Sequence, residues 1–498
     1  MMIKLIELFG GIGTQAMAMR DSGIPFEAHR LIENDPSTVA VYNAIHNTDF
    51  VPTDIREVKG NDLEILDDGC QYWMTYSYPC TSLSSIGKKD GMVKGSGTAS
   101  SLLWEVERLL NECDILPNVL IMENVTQCHS KRNRADFDMW CDFLSAKGYT
   151  NTSVDIDSYN YGVPQHRIRC FMVSIQNHTG CFVIPYISKC GARYFDFIEP
   201  HYPEKYIITQ PTVIKTIQHI IKQNECSIQY AQIGRVSVMK NVVDIYNKRL
   251  KKDYTVPTIT AHSNSSVSRC GTAGIIVDKL GKIEVRRLMP LECWRIMGYS
   301  DREYYIAKSV KDNDAFLYKL AGNGIVKPIL TNIFKKLYRV TGGEKVHIDS
   351  HFRTIQTIST SGMEIVLGER SSGSSQFATW RHYNGRYEIQ GYYTSSDPIR
   401  NRIAAERSLF RCAADSSVPP AAAKVLEKAA TELTTLLDNY DIHSAYRKHD
   451  TNACTEYINR LSEITNGVFE DTKNTPLFLF LDECKPAPQT EEEDELEL

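Results

Sequence analysis

Along roughly its first third the chain switches regularly between two hydrophobic periods. Short apolar runs predict strands at IKLIELF (Ile3–Phe9), FEAHRLIEND, QYWMTYSYPC and NVLIMENV. Between them lie segments of helical period: TQAMAMRDSG, then PSTVAVYNAIHN with Pro36 in its first turn, then SSLLWEVERLLNECD, then FDMWCDFLSAKG ending at Gly148. Ser100 or Ser101 is the expected cap of the third helix, which closes before Pro117. Repeated β–α units of this kind predict an α/β fold with a mostly parallel sheet covered by helices on both faces. A last strand is predicted in DSYNYGVPQHRIRCFMVSI, Asp157 to Ile175. There Gln165, Arg167 and Arg169 stand two apart, so strand alternation sends them to one face at the entrance of a buried run.

After about Gln176 the rhythm breaks into short β-rich, lysine- and tyrosine-containing pieces that last to about Lys282, and helical pattern resumes at RRLMPLECWRIMGY. Gly342–Gly343 reads as a domain boundary, followed by a β-rich stretch with a hairpin turn at Asn384-Gly385. Beyond it, AAAKVLEKAATELTTLLDNY places Leu426, Leu433 and Leu437 on one helical face, so a small α+β domain is expected over 345–487. Carboxylates crowd into TEEEDELEL at the end, and 488–498 reads as an acidic disordered tail.

With 498 residues, two or three domains are expected. The net charge of -5 does not advertise a nucleic-acid binder, but phosphates respond to a local basic face rather than to the total. The 14 cysteines form no CxxC pair, so neither zinc nor a disulfide framework is signalled. With no secretory leader pattern and no membrane-length apolar run, a reducing cytoplasm is the expected compartment.

Chemistry collects where the predicted strands end. Gly10, Gly11 and Gly13 lie between the first strand and first helix, where glycine lets backbone approach a ligand and a helix start offers N–H donors. Structural tight turns also look like this. Glu33, 20 residues beyond Gly13 at the end of the second strand, shifts the balance toward a nucleoside, since a carboxylate can accept from two ribose hydroxyls. Cys80 follows Pro79 at another strand end, before a long Gly/Ser/Lys loop from Ser84 to Thr98. A buried structural cysteine is the bland reading, and a nucleophile under a closing lid the sharper one. Glu123 ends the NVLIMENV strand, as a satisfied structural acid or as a proton carrier.

Taken in order, these stretches resemble the cytosine-C5 DNA methyltransferases over roughly the first two-thirds of the chain. LFGGIG is similar to the family's first motif, PCTSLS to its Pro-Cys motif, MENV to its Glu-Asn-Val motif and YGVPQHRIR to its Gln-x-Arg-x-Arg motif; RRLMPLECWRIMGYSD and LAGNGIV resemble the last two. The resemblance implies a Rossmann-like S-adenosylmethionine-dependent catalytic domain over 1–176, completed by 283–341, with a target-recognition domain over 177–282. It implies that Cys80 adds to C6 of a flipped-out cytosine, so that C5 becomes nucleophilic enough to take a methyl group, and that β-elimination follows. It makes Glu123 the partner of N3 and the exocyclic amine, Arg169 the holder of O2, and Arg167 a brace for the Cys80 loop. Phe9, Gly10, Gly11, Gly13, Glu33, Asp54, Ile55, Pro79 and Asn323 match cofactor-contacting positions, and a carboxylate such as Asp54 can accept from an adenine amine.

Expected partners are duplex DNA and a cognate restriction endonuclease, with the enzyme itself a monomer. Gln165, Ser84, Lys88, Lys89, Arg235, Thr258 and Thr260 are the candidate DNA contacts, with Lys94, Lys240, Lys248, Arg249, Lys251 and Lys252 as further cations. Solvated surface lysine is the duller reading for each of these. Three positions depart from the family pattern: Gly324 for a common serine, Thr81 for glutamine and Ala99 for arginine. They bear on cofactor contact and loop anchoring, not on the class. Transfer to a tRNA cytosine, or a degenerate fold that only binds DNA, are the rival functions.

Overall fold

The computed structural model describes residues 1–83, 91–178, 182, 184–185, 191–279, 281–342, 352–360, 363–370, 376–383, 386–395, 397–416, 418, 420–443 and 451–470. They divide into two compact units, 1–140 with 156–172 and 185–344, and 141–155 with 173–184 and 345–498.

The first unit opens with β1 (Ile3–Leu8), α1 (Thr14–Ser22), β2 (Phe26–Ile32), α2 (Pro36–His46), β3 (Gln71–Tyr76), α3 (Leu103–Glu112) and β4 (Val119–Val125); α4 (Arg134–Ala146), β5 (Tyr149–Asp157) and β6 (Ile168–Gln176) follow in the chain, their residues 141–155 and 173–176 counting with the second unit. Its sheet has the order β6-β4-β3-β1-β2, with β1 parallel to β2 and to β3, and β3 parallel to β4. Ile3, Leu5, Ile6 and Leu8 are all fully buried, the continuous burial of a parallel strand covered on both faces. Asp35 caps α2 by accepting from the backbone N–H groups of Ser37 and Thr38, and Pro36 takes the first turn. The predicted cap of α3 is displaced: a 3-10 turn over Ala99–Leu102 precedes the helix, and Thr98 accepts from Ser101 N–H.

Residues 185–286 hold α5 (Pro211–Gln223) and a second sheet of β7 (Tyr230–Ile233), β8 (Val236–Met239), β9 (Val242–Asp244), β10 (Arg249–Lys251), β11 (Ala273–Lys279) and β12 (Lys282–Arg286). Its order is β10-β9-β11-β8-β7, with β12 paired to β11. Ile217 and Ile220 of α5 pack on Met239, Val243 and Ile276. The predicted end of this region at Lys282 moves to Arg286, because β12 pairs with β11 as far as Ile275↔Arg286. Then α6 (Pro290–Ile296), α7 (Asp301–Val310), α8 (Asp314–Asn323) and α9 (Lys327–Thr341) complete the unit.

The second unit has antiparallel strands β13 (Phe352–Thr360), β14 (Met363–Arg370), β15 (Phe377–Tyr383) and β16 (Arg386–Tyr393), with helices α10 (Pro398–Ala414), α11 (Pro420–His443) and α12 (Thr451–Glu470). Leu426, Leu433 and Leu437 are buried in its core against Ile365, Leu367 and Phe410. This α+β unit also takes in residues 141–155 and 173–184, which the sequence reading divided between the first two domains. The cause is a strand pairing: β16 lies parallel to β5, with Arg386↔Asn151 through Ile389↔Val154 in register. The Asn384-Gly385 turn and the acidic tail lie outside the described residues.

Candidate active site

A cleft of about 1050 Å³ opens in the first unit where β1, β2 and β3 end. Its lining includes Phe9, Gly10, Gly11, Glu33, Asp54 and Ile55 at one end and Pro79, Cys80, Arg167 and Arg169 at the other. Open α/β sheets bind ligands along this edge.

The turn after β1 is shaped by steric need. Phe9 has φ 55°, a left-handed conformation costly for a bulky side chain. A Cβ at Gly10 would stand 2.5 Å from Leu31 Cδ1, and one at Gly13, 2.4 Å from His46 Nε2. Gly11 differs, because a Cβ there would meet nothing within 4 Å; its backbone N–H donates to Glu33 Oε2 at 3.1 Å. Open space beside an exposed backbone and an anchored carboxylate is what a nucleoside needs, and S-adenosylmethionine fits this donor set. Asp54 meets Arg56 at 2.9 and 2.5 Å, which holds its carboxyl down to about 2. Ile55 is buried, and Asn323 is exposed at the end of α8 on the same cleft.

Cys80 sits just past β3, with its neighbours fixed by the backbone around it. Asn124 Nδ2 donates to Tyr78 O at 2.9 Å, and Ser100 Oγ donates to Pro79 O at 2.6 Å. Burial, then the nearby Glu123 charge, push the Cys80 thiol up, while Arg169 and Arg167 pull it down. Burial likewise raises the Glu123 carboxyl against the pull of Arg169 and Arg167. Arg169 Nε lies 3.4 Å from Glu123 Oε1, so thiol, acid and guanidinium form one electrostatic group.

Two expected roles change. Arg167 precedes β6 rather than standing in it, and its guanidinium is buried: it donates to Ile259 O at 2.8 Å and to Gly322 O and Gly324 O at 3.1 Å. Among the described residues its hydrogen bonds brace the segments at 259 and 322–324 rather than the Cys80 loop. Gln165, expected at DNA, is fully buried; its Oε1 accepts from Ile259 N–H, and its amide lies 3.4 Å from Ile296 O. The alternation that placed all three on one strand face fails because β6 starts only at Ile168.

Of the other DNA candidates, Thr258 and Thr260 line the cleft, and Thr258 Oγ1 donates to His166 O at 2.8 Å. Arg235 is exposed in the β7–β8 turn, away from the cleft lining. Arg249 and Lys251 do line it, alongside Asn247, His262 and Arg269, which no motif in the sequence singles out. Ser84, Lys88 and Lys89 lie outside the described residues. Lys94 is tied to α3, pairing with Glu107 and lying 5.2 Å from the Trp104 ring centre. Near Ala99, where arginine would anchor the loop, Thr98 Oγ1 donates to Gly91 O at 3.1 Å and Ser100 holds Pro79. Neutral hydroxyls do the anchoring instead. No helix among the described residues is long and apolar enough to cross a membrane.

A mostly parallel sheet covered by helices, with a glycine turn after its first strand, is the Rossmann-like fold of a methyltransferase. The chain belongs to the C-5 cytosine-specific DNA methylase family, whose sequence profile matches residues 3–339. It is 26% identical over 392 residues to the type II methyltransferase M2.ScrFI of Lactococcus lactis subsp. cremoris, covering 68% of this chain and 99% of that one. It is 31% identical over 239 residues to the orphan methyltransferase M.SssI of Spiroplasma monobiae, covering 47% and 58%. The fold is similar to that of the S. pombe Dnmt2 methyltransferase, with TM-score 0.52 and 17% identity over 68% of this chain and 99% of that one. The chain is thus a methyltransferase of the C5-cytosine class.

Proposed function

We propose that the protein transfers a methyl group from S-adenosylmethionine to C5 of a flipped-out cytosine within a specific sequence of duplex DNA. The observation that carries this is that Cys80 and Arg169 line the cleft that also holds the glycine turn and Glu33, with Glu123 3.4 Å behind Arg169 and in the electrostatic reach of Cys80. Cys80 loses its proton and its sulfur adds to C6, which moves an electron pair toward C5. Glu123, whose carboxyl burial raises and so favours in the protonated form, donates to N3 and accepts from the exocyclic amine as negative charge develops. Arg169 donates to O2. When bound, S-adenosylmethionine supplies the electrophilic methyl group, and Phe9, Gly11, Glu33, Asp54, Ile55 and Asn323 are the residues that would hold it. Water takes the C5 proton, the freed electron pair re-forms the C5–C6 double bond, and the Cys80 sulfur leaves as thiolate. Arg249 and Lys251 of β10, with Thr258, Thr260 and Arg269 from the segment between β10 and β11, line the same cleft, where they meet phosphates and base edges.

Methyl transfer from labelled S-adenosylmethionine to duplex DNA and to tRNA, followed by bisulfite sequencing of the DNA, tests this reading. Label in cytosines of one DNA sequence context is expected. Label confined to tRNA would overturn it.

A further inference from the structure

The departure at Gly324 has a cause in this chain. Its backbone, with φ -71° and ψ 163°, is open to any residue, so glycine is not required by conformation. It is required by Tyr299: a Cβ at 324 would stand 2.1 Å from the Tyr299 hydroxyl oxygen. Tyr299 is buried, its ring edge-on to Trp294 at 5.2 Å. Its hydroxyl lies 3.1 Å from Ile325 O, to which it donates, and 2.8 Å from Thr14 Oγ1. A phenol has one proton, so with that proton on Ile325 the Thr14 hydroxyl must be the donor of the second bond. Thr14 begins α1 directly after the glycine turn, and Ile325 follows Asn323 and Gly324; all these positions line the cleft.

We propose that Tyr299 is a positioning residue for the cofactor pocket. Its hydroxyl ties the first turn of α1 to the 323–325 segment and occupies the space that a side chain at 324 would take. Tyr299 and Gly324 are therefore a mutually dependent pair. The proposal rests on the cofactor reading above.

The test uses the full chain and calorimetric binding of S-adenosylhomocysteine, with melting of the ligand-free protein measured in parallel. Tyr299→Phe removes both hydroxyl bonds and is expected to weaken binding about 5- to 10-fold. The KM for S-adenosylmethionine should rise with it, while kcat at saturating cofactor and DNA affinity stay unchanged. Gly324→Ser is expected to weaken binding further by forcing the ring aside. Combined with Tyr299→Phe it should bind more tightly than Gly324→Ser alone, and the melting changes should be non-additive in the same direction. Wild-type affinity in Tyr299→Phe, or simple addition of the two single effects in the double variant, would overturn the proposal alone. No binding by the wild-type protein would overturn the cofactor reading together with it.

Discussion

Beneath the glycine turn, Glu7 is wholly buried and bonded at 2.5 Å to the Tyr42 hydroxyl, and burial pushes its carboxyl up to about 7. An unfolded chain would titrate it near 4.5, so between these values the native state binds more protons. Folding stability is therefore expected to fall as pH climbs from about 4.5 to about 7, by on the order of 3 kcal/mol when complete. Glu7→Gln keeps the shape and should flatten that slope, with urea midpoints measured across the window as the check. At the other end of the cleft Arg169 lies beside Glu123 and Cys80, and in the proposed reaction its partner is the base rather than the duplex. Arg169→Ala should lower single-turnover methyl transfer by about 100-fold or more, with DNA affinity nearly unchanged. Equal loss in both would mean the guanidinium serves only the ion pair.

Elements explain both what the sequence revealed and what it hid. The strands β1 to β4 and the turns that follow them were legible, because unbroken apolar runs and glycine placement follow directly from burial and turn geometry. The start of β6 was not. Gln165 and Arg167 look like an exposed polar ladder, yet they meet Ile259, Ile296, Gly322 and Gly324, partners 92 to 157 residues away that no local period encodes. Arg286 is similar: no local period marks it as interior, but it and Glu292 are both fully buried and paired at 2.7 and 2.8 Å. That pair joins β12 to α6, and Glu292 also accepts from the backbone N–H groups of Met289 and Glu199. Glu292→Ala strands a buried guanidinium and should cost about 3–5 kcal/mol in chemical denaturation.

For the molecule as a whole, the family match ends at residue 339, near the 344/345 division of the structural units, but the second unit also takes in 141–155 and 173–184 from within the matched stretch. Because β16 pairs with β5, a chain ended at Gly342 would leave the Asn151–Val154 edge of β5 unpaired. An open edge invites association, so that shortened chain is expected to melt lower and self-associate in sedimentation, despite carrying every catalytic motif. The central claim concerns chemistry on that motif-bearing part: Cys80 attacks C6 of cytosine. Its most direct test is trapping on a duplex carrying 5-fluorocytosine in the recognised sequence, with S-adenosylmethionine present. Fluorine at C5 blocks the final elimination, so a stable protein–DNA adduct should form, visible by denaturing electrophoresis and absent in Cys80→Ser. A folded, DNA-binding protein that gives no adduct, or gives one that survives Cys80→Ser, would contradict it.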